Sequence, residues 1–308
     1  MSPINIIGGL ITSDLRMATP ILLAALGLLI MNRAGLINIG CEGIMLMSAF
    51  VAVAATYSLH NVWLGMLCAM LVAGVMGALF ALLTVSLRAN QIVVGVAFNT
   101  LGTGLSTVLY RMLFGMDFVS VKEYAFSRVS IPGLKEIPLI GEALFDQMPI
   151  VYLAFLLVPV VAYFLFRTPA GLNLRSVGEN PRAADTLGID VYKMRYAATI
   201  VGCMLMGMGG AFLSTGLLNS FQEGMTANRG FIALAAVIFG KYKPKGVMLA
   251  TMLFALGLAI ANLLPSIGSN IPYNFVTMIP YLLTVVALAG FVGKVTPPAA
   301  AGKPYKKG

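Results

Sequence analysis

Long apolar runs separated by short polar stretches dominate the chain. The apolar segments lie at about residues 17–32, 43–59, 62–87, 91–114, 149–167, 194–218, 229–240, 245–264 and 272–292. A helix needs about 20 predominantly apolar residues to cross a bilayer core of ~30 Å. Membrane β-barrels would instead show ~10-residue segments of alternating polarity, which do not occur here. The pattern therefore predicts an all-α, polytopic membrane protein with about nine transmembrane segments.

The polar stretches between these segments predict the domain organisation. The longest, 115–148, contains Pro132, Gly133 and Pro138, which are typical of a loop. A second polar loop covers 168–193, and a Lys-rich tail covers 294–308. We expect one transmembrane domain over residues 1–308, with all three stretches outside the bilayer.

The composition agrees with a membrane protein and changes how the charge is interpreted. The chain is 59% hydrophobic and 10% charged, whereas a soluble domain carries roughly 25% charged residues. A net charge of +9 could indicate nucleic-acid binding. In membrane proteins, however, Lys and Arg mark the cytoplasmic loops. We therefore expect the protein to lie in a lipid bilayer and to bind no nucleic acid.

The basic residues also predict an orientation. If the 168–193 loop is cytoplasmic, 14 of the 20 Lys and Arg residues fall on the cytoplasmic side. The other six are Arg16, Arg111, Lys122, Arg128, Lys135 and Arg229. This asymmetry predicts an N-terminus and a 115–148 loop outside the cell, with the 294–308 tail inside.

The two halves of the chain share a pattern. NIGCEGIMLMSAF in the first half and ANRGFIALAAVIFG in the second each place an Asn- and Gly-bearing break before a short apolar segment, and a long Leu-, Met- and Ala-rich segment follows each. Four segments, one spacer and four segments would relate the halves by inverted topology. Such inverted repeats are typical of transporters, and interrupted segments at matching positions indicate the pathway.

The first of these breaks, RAGLINIGCEG at 33–43, places Asn38 and Glu42 among three glycines between two apolar runs. Backbone groups freed by a helix break need partners, so the stretch is expected to face protein or water rather than lipid. Three interpretations stay open: helix capping near the cytoplasmic surface, contact with the solute, or gating. A leucine at Gly40 is expected to impair transport more than folding.

The 168–193 loop contains helix signals. Asn180 is a good N-cap and Pro181 suits the first helical position. A short helix over 182–187 is predicted to end at Gly188, and Asp190 is predicted to cap the next helix. A helix this short is marginal alone, so it indicates a docking partner. The alternative is an ordinary surface connection.

Three motifs resemble a known family. Ala183-Ala184-x-x-x-Gly188 resembles the core of the EAA loop of ATP-binding cassette importer permeases, with Arg182 in place of its acidic residue. The run RSVGENPRAADTLGID resembles the cytoplasmic loop of the branched-chain amino acid and simple-sugar permeases. GLINIGCEGIMLMSAF and NRGFIALAAVIFGKYKPKG are similar to nucleoside and simple-sugar permeases that work with basic-membrane-protein type lipoproteins. The resemblance covers about residues 16–293.

The resemblance implies a type II-like importer permease in the bacterial cell membrane. It implies a heterodimer with a second, related permease, a cytoplasmic ATP-binding subunit and an extracytoplasmic solute-binding lipoprotein. By position in the family motif, contact with the ATP-binding subunit is expected at Glu179, Asn180, Pro181, Arg182, Ala183, Ala184 and Gly188. This stretch would be the coupling helix.

The chain itself lacks the parts of an enzyme. No GxxxxGK[ST] phosphate loop occurs, so ATP is expected on the partner subunit and no cofactor on this chain. The glycines of MGMGGAF at 206–212 are interpreted as helix packing. With one histidine, His60, and three cysteines in apolar segments, no metal site or catalytic group is expected.

The function expected is permeation of nucleosides, with a simple sugar such as ribose as the alternative solute. An ion-coupled secondary transporter is a further alternative, but it would need intramembrane ionisable groups. Glu42 is the one acidic candidate near the apolar segments, without a buried basic partner in the sequence pattern. Candidate pathway residues are Asn38, Glu42, Asn99, Thr103, Gln222 and Asn228. Hydrogen bonding between helices is the alternative role for the last four.

Overall fold

The structure, a computed structural model, describes residues 3–130, 141–266, 278 and 296–306. Within these residues the chain forms eleven α-helices: α1 Pro3–Arg33, α2 Cys41–Leu59, α3 Val62–Ala81, α4 Gln91–Phe114, α5 Gly141–Phe145, α6 Pro149–Arg167, α7 Pro169–Glu179, α8 Pro181–Thr186, α9 Val191–Phe212, α10 Arg229–Phe239 and α11 Pro244–Ser266. A π-helical turn extends α3 over Leu82–Ser86 and another extends α9 over Leu213–Leu218. Two short strands, β1 Val129–Ser130 and β2 Asp146–Gln147, pair antiparallel. The predicted all-α class is confirmed.

Seven helices of the described residues are long and apolar enough to cross a membrane. They are Ile7–Arg33, Cys41–Leu59, Val62–Ser86, Gln91–Phe114, Pro149–Arg167, Val191–Leu218 and Pro244–Leu264. They coincide with seven of the nine predicted segments. The predicted segment 229–240 forms α10, whose 11 residues span about 16 Å, half of the hydrocarbon core. The predicted segment 272–292 lies outside the described residues, apart from residue 278.

The first helix is longer than its apolar pattern predicts. Its apolar segment begins at residue 17, whereas α1 begins at Pro3. Asp14 and Arg16 interrupt the hydrophobic pattern, but the helix continues through both. The Arg16 Nε donates to the Gln147 Oε1 at 2.9 Å, so β2 supplies the partner that this charged side chain needs.

Glycines bring the central helices into backbone contact. A β-carbon on Gly27 of α1 would lie 2.2 Å from the Gly202 carbonyl oxygen of α9. One on Gly210 of α9 would lie 2.1 Å from the Met45 carbonyl oxygen of α2. Small residues allow such close approach where lipid provides no hydrophobic driving force between helices. The interpretation of the 206–212 glycines as packing residues is confirmed.

Contacts between loops define two ends of the bundle. At one, which we call the basic end, the Arg33 guanidinium donates to the Tyr242 carbonyl oxygen at 2.6 and 3.0 Å. At the opposite end, which we call the loop end, the His60 ring lies 4.9 Å from the Tyr124 ring. The 115–130 segment lies at the loop end. That the basic end faces the cytoplasm stays a prediction from the charge distribution.

The order of helix directions is inverted between the halves. Helix α1 runs from the loop end to the basic end, α2 runs back, and α3 returns. Helix α9 runs the other way and reaches the loop end, where the Asn219 carbonyl oxygen accepts from the Val121 N–H at 2.9 Å. Helix α10 then runs toward Tyr242, and α11 returns to place Asn262 3.3 Å from the Met17 sulfur. Helices α1–α3 and α9–α11 thus have the relation that the predicted inverted repeat requires.

Candidate functional site

The first helix break joins α1 to α2 through residues 34–40. Gly35 has a φ of +82°, and its N–H donates to the Asn32 carbonyl oxygen at 2.9 Å. A left-handed glycine just after a helix is a common way to end it. The Ile37 N–H then donates to the Gln91 Oε1 at 2.7 Å, which fixes the break to the start of α4.

The first break leads from the basic end into the interior of the bundle. Ile37 lies beside Gln91, where α4 starts, and Gly43 lies beside Asn99 of the same helix. These two α4 positions are about 12 Å apart along the helix axis. Helix α2 therefore begins inside the bundle, beyond the basic end where α4 begins.

Asn38 is closed off inside the protein. Its side chain is fully buried, and its Oδ1 accepts from the Gly40 N–H at 2.8 Å. Its Nδ2 points at the sulfur atoms of Met31 and Cys203, at 3.9 and 3.7 Å. This geometry supports a structural role for Asn38 over contact with the solute. Asn38 holds the turn that leads into α2.

Glu42 caps a helix of the other half. Its Oε1 accepts from the Asn228 N–H at 2.8 Å and its Oε2 accepts from the Gly230 N–H at 2.7 Å. Unpaired N–H groups and the helix dipole make the N-terminus of α10 a favourable place for a carboxylate. Capping is the interpretation that the geometry supports, but the capped helix is α10 of the other half.

Glu42 also has a basic neighbour that the sequence pattern did not indicate. Arg229, the first residue of α10, interacts electrostatically with Glu42. Its Nη1 donates to the carbonyl oxygens of Met225 and Thr226 at 3.1 and 3.2 Å. The expectation that Glu42 lacks a basic partner was wrong. The charge distribution placed Arg229 on the outer side of the membrane, and the fold places it beside the carboxylate.

Asn99 and Thr103 have different environments although they lie on one face of α4. The Asn99 Nδ2 donates to the Ile39 carbonyl oxygen at 3.0 Å, and its Oδ1 accepts from the Gly43 N–H at 2.9 Å. Both ends of this amide hold the start of α2. Thr103 is exposed, and its hydroxyl donates back to the Asn99 carbonyl oxygen at 2.9 Å.

A groove lies along this face of α4. A shallow, open depression on the surface of α4 is lined by Asn99, Thr100, Thr103 and Gly104. It continues past Ala97, Thr100, Leu101, Gly104, Leu105 and Val108 of the same helix. The lining combines hydroxyl and amide groups at one level with apolar surface toward the loop end.

The second break, residues 219–228, lies beside α4. The Glu42 carboxylate holds its last residue, and Arg111 of α4 pairs with Glu223 at 2.8 Å. Gln222 and Asn228 are exposed in this break. The structure therefore places α4 next to the break that bears the remaining candidate pathway residues.

The 179–190 segment at the basic end contains the predicted short helix, which is α8. The Asn180 Oδ1 accepts from the Ala183 N–H at 3.1 Å, and Pro181 occupies the first turn of α8. Gly188 has a φ of +82°, and the Asp190 Oδ1 accepts from the Lys193 N–H at 3.0 Å. These caps agree with the sequence interpretation.

Two features of this segment differ from expectation. Ala184 is buried against Val177, Val191 and Tyr305 of its own chain, so its small side chain is not available to a partner. The exposed residues between positions 179 and 188 are Glu179, Asn180, Arg182, Ala183, Thr186, Leu187 and Gly188. The sequence analysis also missed helix α7. Thr168-Pro169 is the same signal as Asn180-Pro181, and the Thr168 Oγ1 accepts from the Gly171 N–H at 3.1 Å.

Gly40 is more tightly packed than the sequence indicated. A β-carbon there would lie 2.8 Å from the Phe98 Cβ and 3.0 Å from both the Asn38 Oδ1 and the Gly95 carbonyl oxygen. A leucine would push α2 away from α4. Gly40→Leu is therefore expected to lower stability as well as transport, because the residue lies in the packing between two helices.

Opposed halves, each with a helix that begins inside the bundle, are typical of membrane transport proteins of the inverted-repeat class. The family model described as "Branched-chain amino acid transport system / permease component" matches residues 10–288. The chain belongs to this permease family, and it is a multi-pass membrane protein.

Several curated proteins are similar over the whole chain. The guanosine ABC transporter permease protein NupQ of Bacillus subtilis is 36% identical over 317 residues, covering 100% of this chain and 99% of that protein. The nucleoside ABC transporter permease protein NupC of Lactococcus lactis has the same identity and coverage. The putative glucose ABC transporter permease protein TsgC13 of Haloferax volcanii is 36% identical over 303 residues, covering 91% of each chain.

A second guanosine permease of the same Bacillus strain, NupP, also matches. It is 23% identical over 302 residues, covering 96% of this chain and 84% of that protein. The chain is thus similar to both members of a pair of permeases from one organism. No solved structure of another protein matches the chain.

Proposed function

We propose that the chain forms the translocation pathway for nucleosides in an importer driven by ATP on a separate subunit. The observation that carries this proposal is the meeting of two interrupted helices at Glu42, beside the shallow open groove on α4. In transporters with inverted repeats, the solute site lies where such breaks meet. The names of NupQ and NupC favour a nucleoside, and that of TsgC13 keeps a sugar as the alternative.

Within this proposal, the candidate residues have two different tasks. Thr103 on the open face of α4, with Gln222 and Asn228 of the second break, would face the solute. Asn99 and Glu42 would hold the interrupted helices in position, since their polar atoms are engaged by backbone groups. A hydroxyl and amides suit a ribose, and the apolar end of the groove suits a base.

We assign the proposed partners to the two ends of the bundle. The ATP-binding subunit would contact the exposed side of α8, and the solute-binding lipoprotein would contact the loop end. A second, related permease would complete the pathway, which is supported by the similarity to both NupQ and NupP. The basic end would face the cytoplasm in the bacterial cell membrane.

Uptake by vesicles that contain the full importer tests this function. Labelled guanosine, uridine, ribose and glucose are supplied outside, with or without ATP inside. Accumulation of a nucleoside only with ATP is expected. Accumulation of sugar alone would reject the solute, and uptake driven by an ion gradient without ATP would reject the mechanism.

A pair of matched variants tests the pathway. Thr103 and Ser58 are both exposed, and each hydroxyl donates to a carbonyl oxygen four residues earlier at 2.9 Å. Ser58 lies near the end of α2, away from the groove. Thr103→Ala is expected to lower nucleoside uptake about fivefold, as the loss of one polar contact would, and Ser58→Ala to leave it unchanged. Equal effects of both changes would remove Thr103 from the pathway.

A further inference from the structure

The C-terminal residues 299–305, which we call the C-terminal strap, lie across the basic end. The Ala300 N–H donates to the Gly178 carbonyl oxygen at 3.0 Å, and the Ala299 N–H donates to the Glu179 Oε2 at 3.2 Å. The Gly302 N–H donates to the Gly35 carbonyl oxygen at 3.1 Å. Backbone bonds thus join the strap to the end of α7 and to the first break.

A buried arginine lies between the strap and the first break. Arg195 of α9 is 1% exposed, and its Nη1 donates to the Lys303 carbonyl oxygen at 3.3 Å. A β-carbon on Gly35 would lie 3.2 Å from its Nη2. Burying a guanidinium is costly unless acceptors surround it, so the strap carbonyl contributes to keeping Arg195 in this position.

Tyr305 fixes the other end of the strap to helix α8. It is buried with Val177, Ala184 and Val191 in a small cluster separate from the main core. Burial and a hydrogen bond to the Asp185 side chain raise the pKa of the Tyr305 phenol above its ordinary value. The hydroxyl therefore stays protonated and holds Asp185 over the physiological pH range.

We propose that the C-terminal strap is a mechanical link between helix α8 and the first helix break, and that it transmits movement of α8 to the translocation pathway. The inference rests on the proposed function in one respect, the contact of α8 with the ATP-binding subunit. Tyr305 packs on α8, and three residues earlier Gly302 bonds the break. A six-residue helix is marginal alone and needs such support to move as a unit.

The link makes the strap a positioning element that contacts no solute. When α8 is displaced, the strap pulls on Gly35 and thereby on the turn from which α2 starts. Without it, α8 moves while the break stays in place. ATP hydrolysis and solute import then separate, which mere loss of stability would not cause.

The test uses the full importer in vesicles and compares Tyr305→Ala with Lys306→Ala. Lys306 is exposed and follows the strap directly. Tyr305→Ala is expected to keep ATP hydrolysis while the ratio of nucleoside imported to ATP hydrolysed falls about fivefold or more, as for a lost coupling energy. Lys306→Ala keeps the ratio. An unchanged ratio in Tyr305→Ala, or equal losses of hydrolysis and import, overturns the proposal.

Amide hydrogen exchange gives a readout that does not depend on the solute. In the purified complex, Tyr305→Ala is expected to speed exchange about tenfold both at 183–188 and at 35–37. Faster exchange at 183–188 alone overturns the link. If the unaltered importer transports no nucleoside, the proposed function fails, and this measurement still decides the strap. A chain lacking 296–308 is expected to reproduce both effects, and normal coupling in that chain likewise overturns the proposal.

Discussion

The two helix breaks occupy matching positions in the inverted halves but are built differently. Every residue of the first break, 34–40, is buried or half-buried, whereas half of the second break, 219–228, is exposed. In the first break only Gly35 has a positive φ. In the second, four residues do: Asn219, Gly224, Ala227 and Asn228.

The breaks are also held by different forces. Backbone contact with α4 surrounds the end of the first break, where a β-carbon on Gly43 would lie 2.3 Å from the Phe98 carbonyl oxygen. Polar contacts hold the second break: the Glu42 carboxylate at one end and the Arg111–Glu223 pair in its middle. Close packing tolerates little displacement, whereas exposed polar contacts can be exchanged for water. We infer that the first break keeps its shape and moves as one unit with the start of α2, whereas the second break can change its internal shape.

Comparing Gly43→Ala with Gly224→Ala tests the difference between the two breaks. This test has the largest expected effect. The Gly43 side chain would enter the backbone of α4, so a loss of about 3 kcal/mol or more in unfolding free energy is expected. Gly224 has open space around it and a φ of +68°, so alanine there costs about 1 kcal/mol through backbone strain. Thermal unfolding of the purified proteins measures both. Equal losses would contradict the distinction.

Glu42→Ala should remove the connection between the two breaks. It leaves the N–H groups of Asn228 and Gly230 without their acceptor and Arg229 without its counter-charge. A loss of about 2 to 3 kcal/mol is expected, with a smaller loss for Glu42→Gln, which keeps one acceptor oxygen. Amide exchange at 228–232 locates the effect. Glu223→Ala is the control, since its carboxylate is half exposed; an equal loss there would show that Glu42 does not hold α10.

Comparing Asn99→Ala with Thr103→Ala distinguishes a residue that supports the first break from one that lines the groove. Asn99 loses two hydrogen bonds to the start of α2, so about 1 to 2 kcal/mol of stability is expected to be lost. Thr103 is exposed, and its change is expected to stay within about 0.5 kcal/mol while lowering uptake. Both values come from the same unfolding measurement. A destabilising Thr103→Ala with normal uptake would reverse the assignment.

The smallest expected effect is that of Arg111→Ala. Its partner Glu223 and the arginine itself are about half exposed, so the pair contributes about 0.5 kcal/mol and less at high salt. Stability should therefore hardly change, while amide exchange at 222–227 increases. An increase that extends to 34–40 would mean that the two breaks open together, against the comparison drawn here.

Local signals in the sequence determined the elements of this protein. Runs of apolar residues predicted the spans, because burial in lipid demands them along the whole length of a helix. Asn180-Pro181 and Gly188 predicted both ends of α8, since capping is a contact between neighbours in the chain. The glycines and Asn38 predicted the first break for the same reason. The equivalent Thr168-Pro169 signal was present and predicts α7 equally well.

Only the tertiary structure decided which of these elements meet. Glu42 and Asn228 are far apart in the chain, and no local pattern indicates that one carboxylate caps the distant helix. Ala184 is buried because Tyr305, which comes from the C-terminal part of the chain, packs against it. The sequence records which groups need a partner, but packing in three dimensions selects the partner, because contacts between distant segments depend on the whole arrangement of helices.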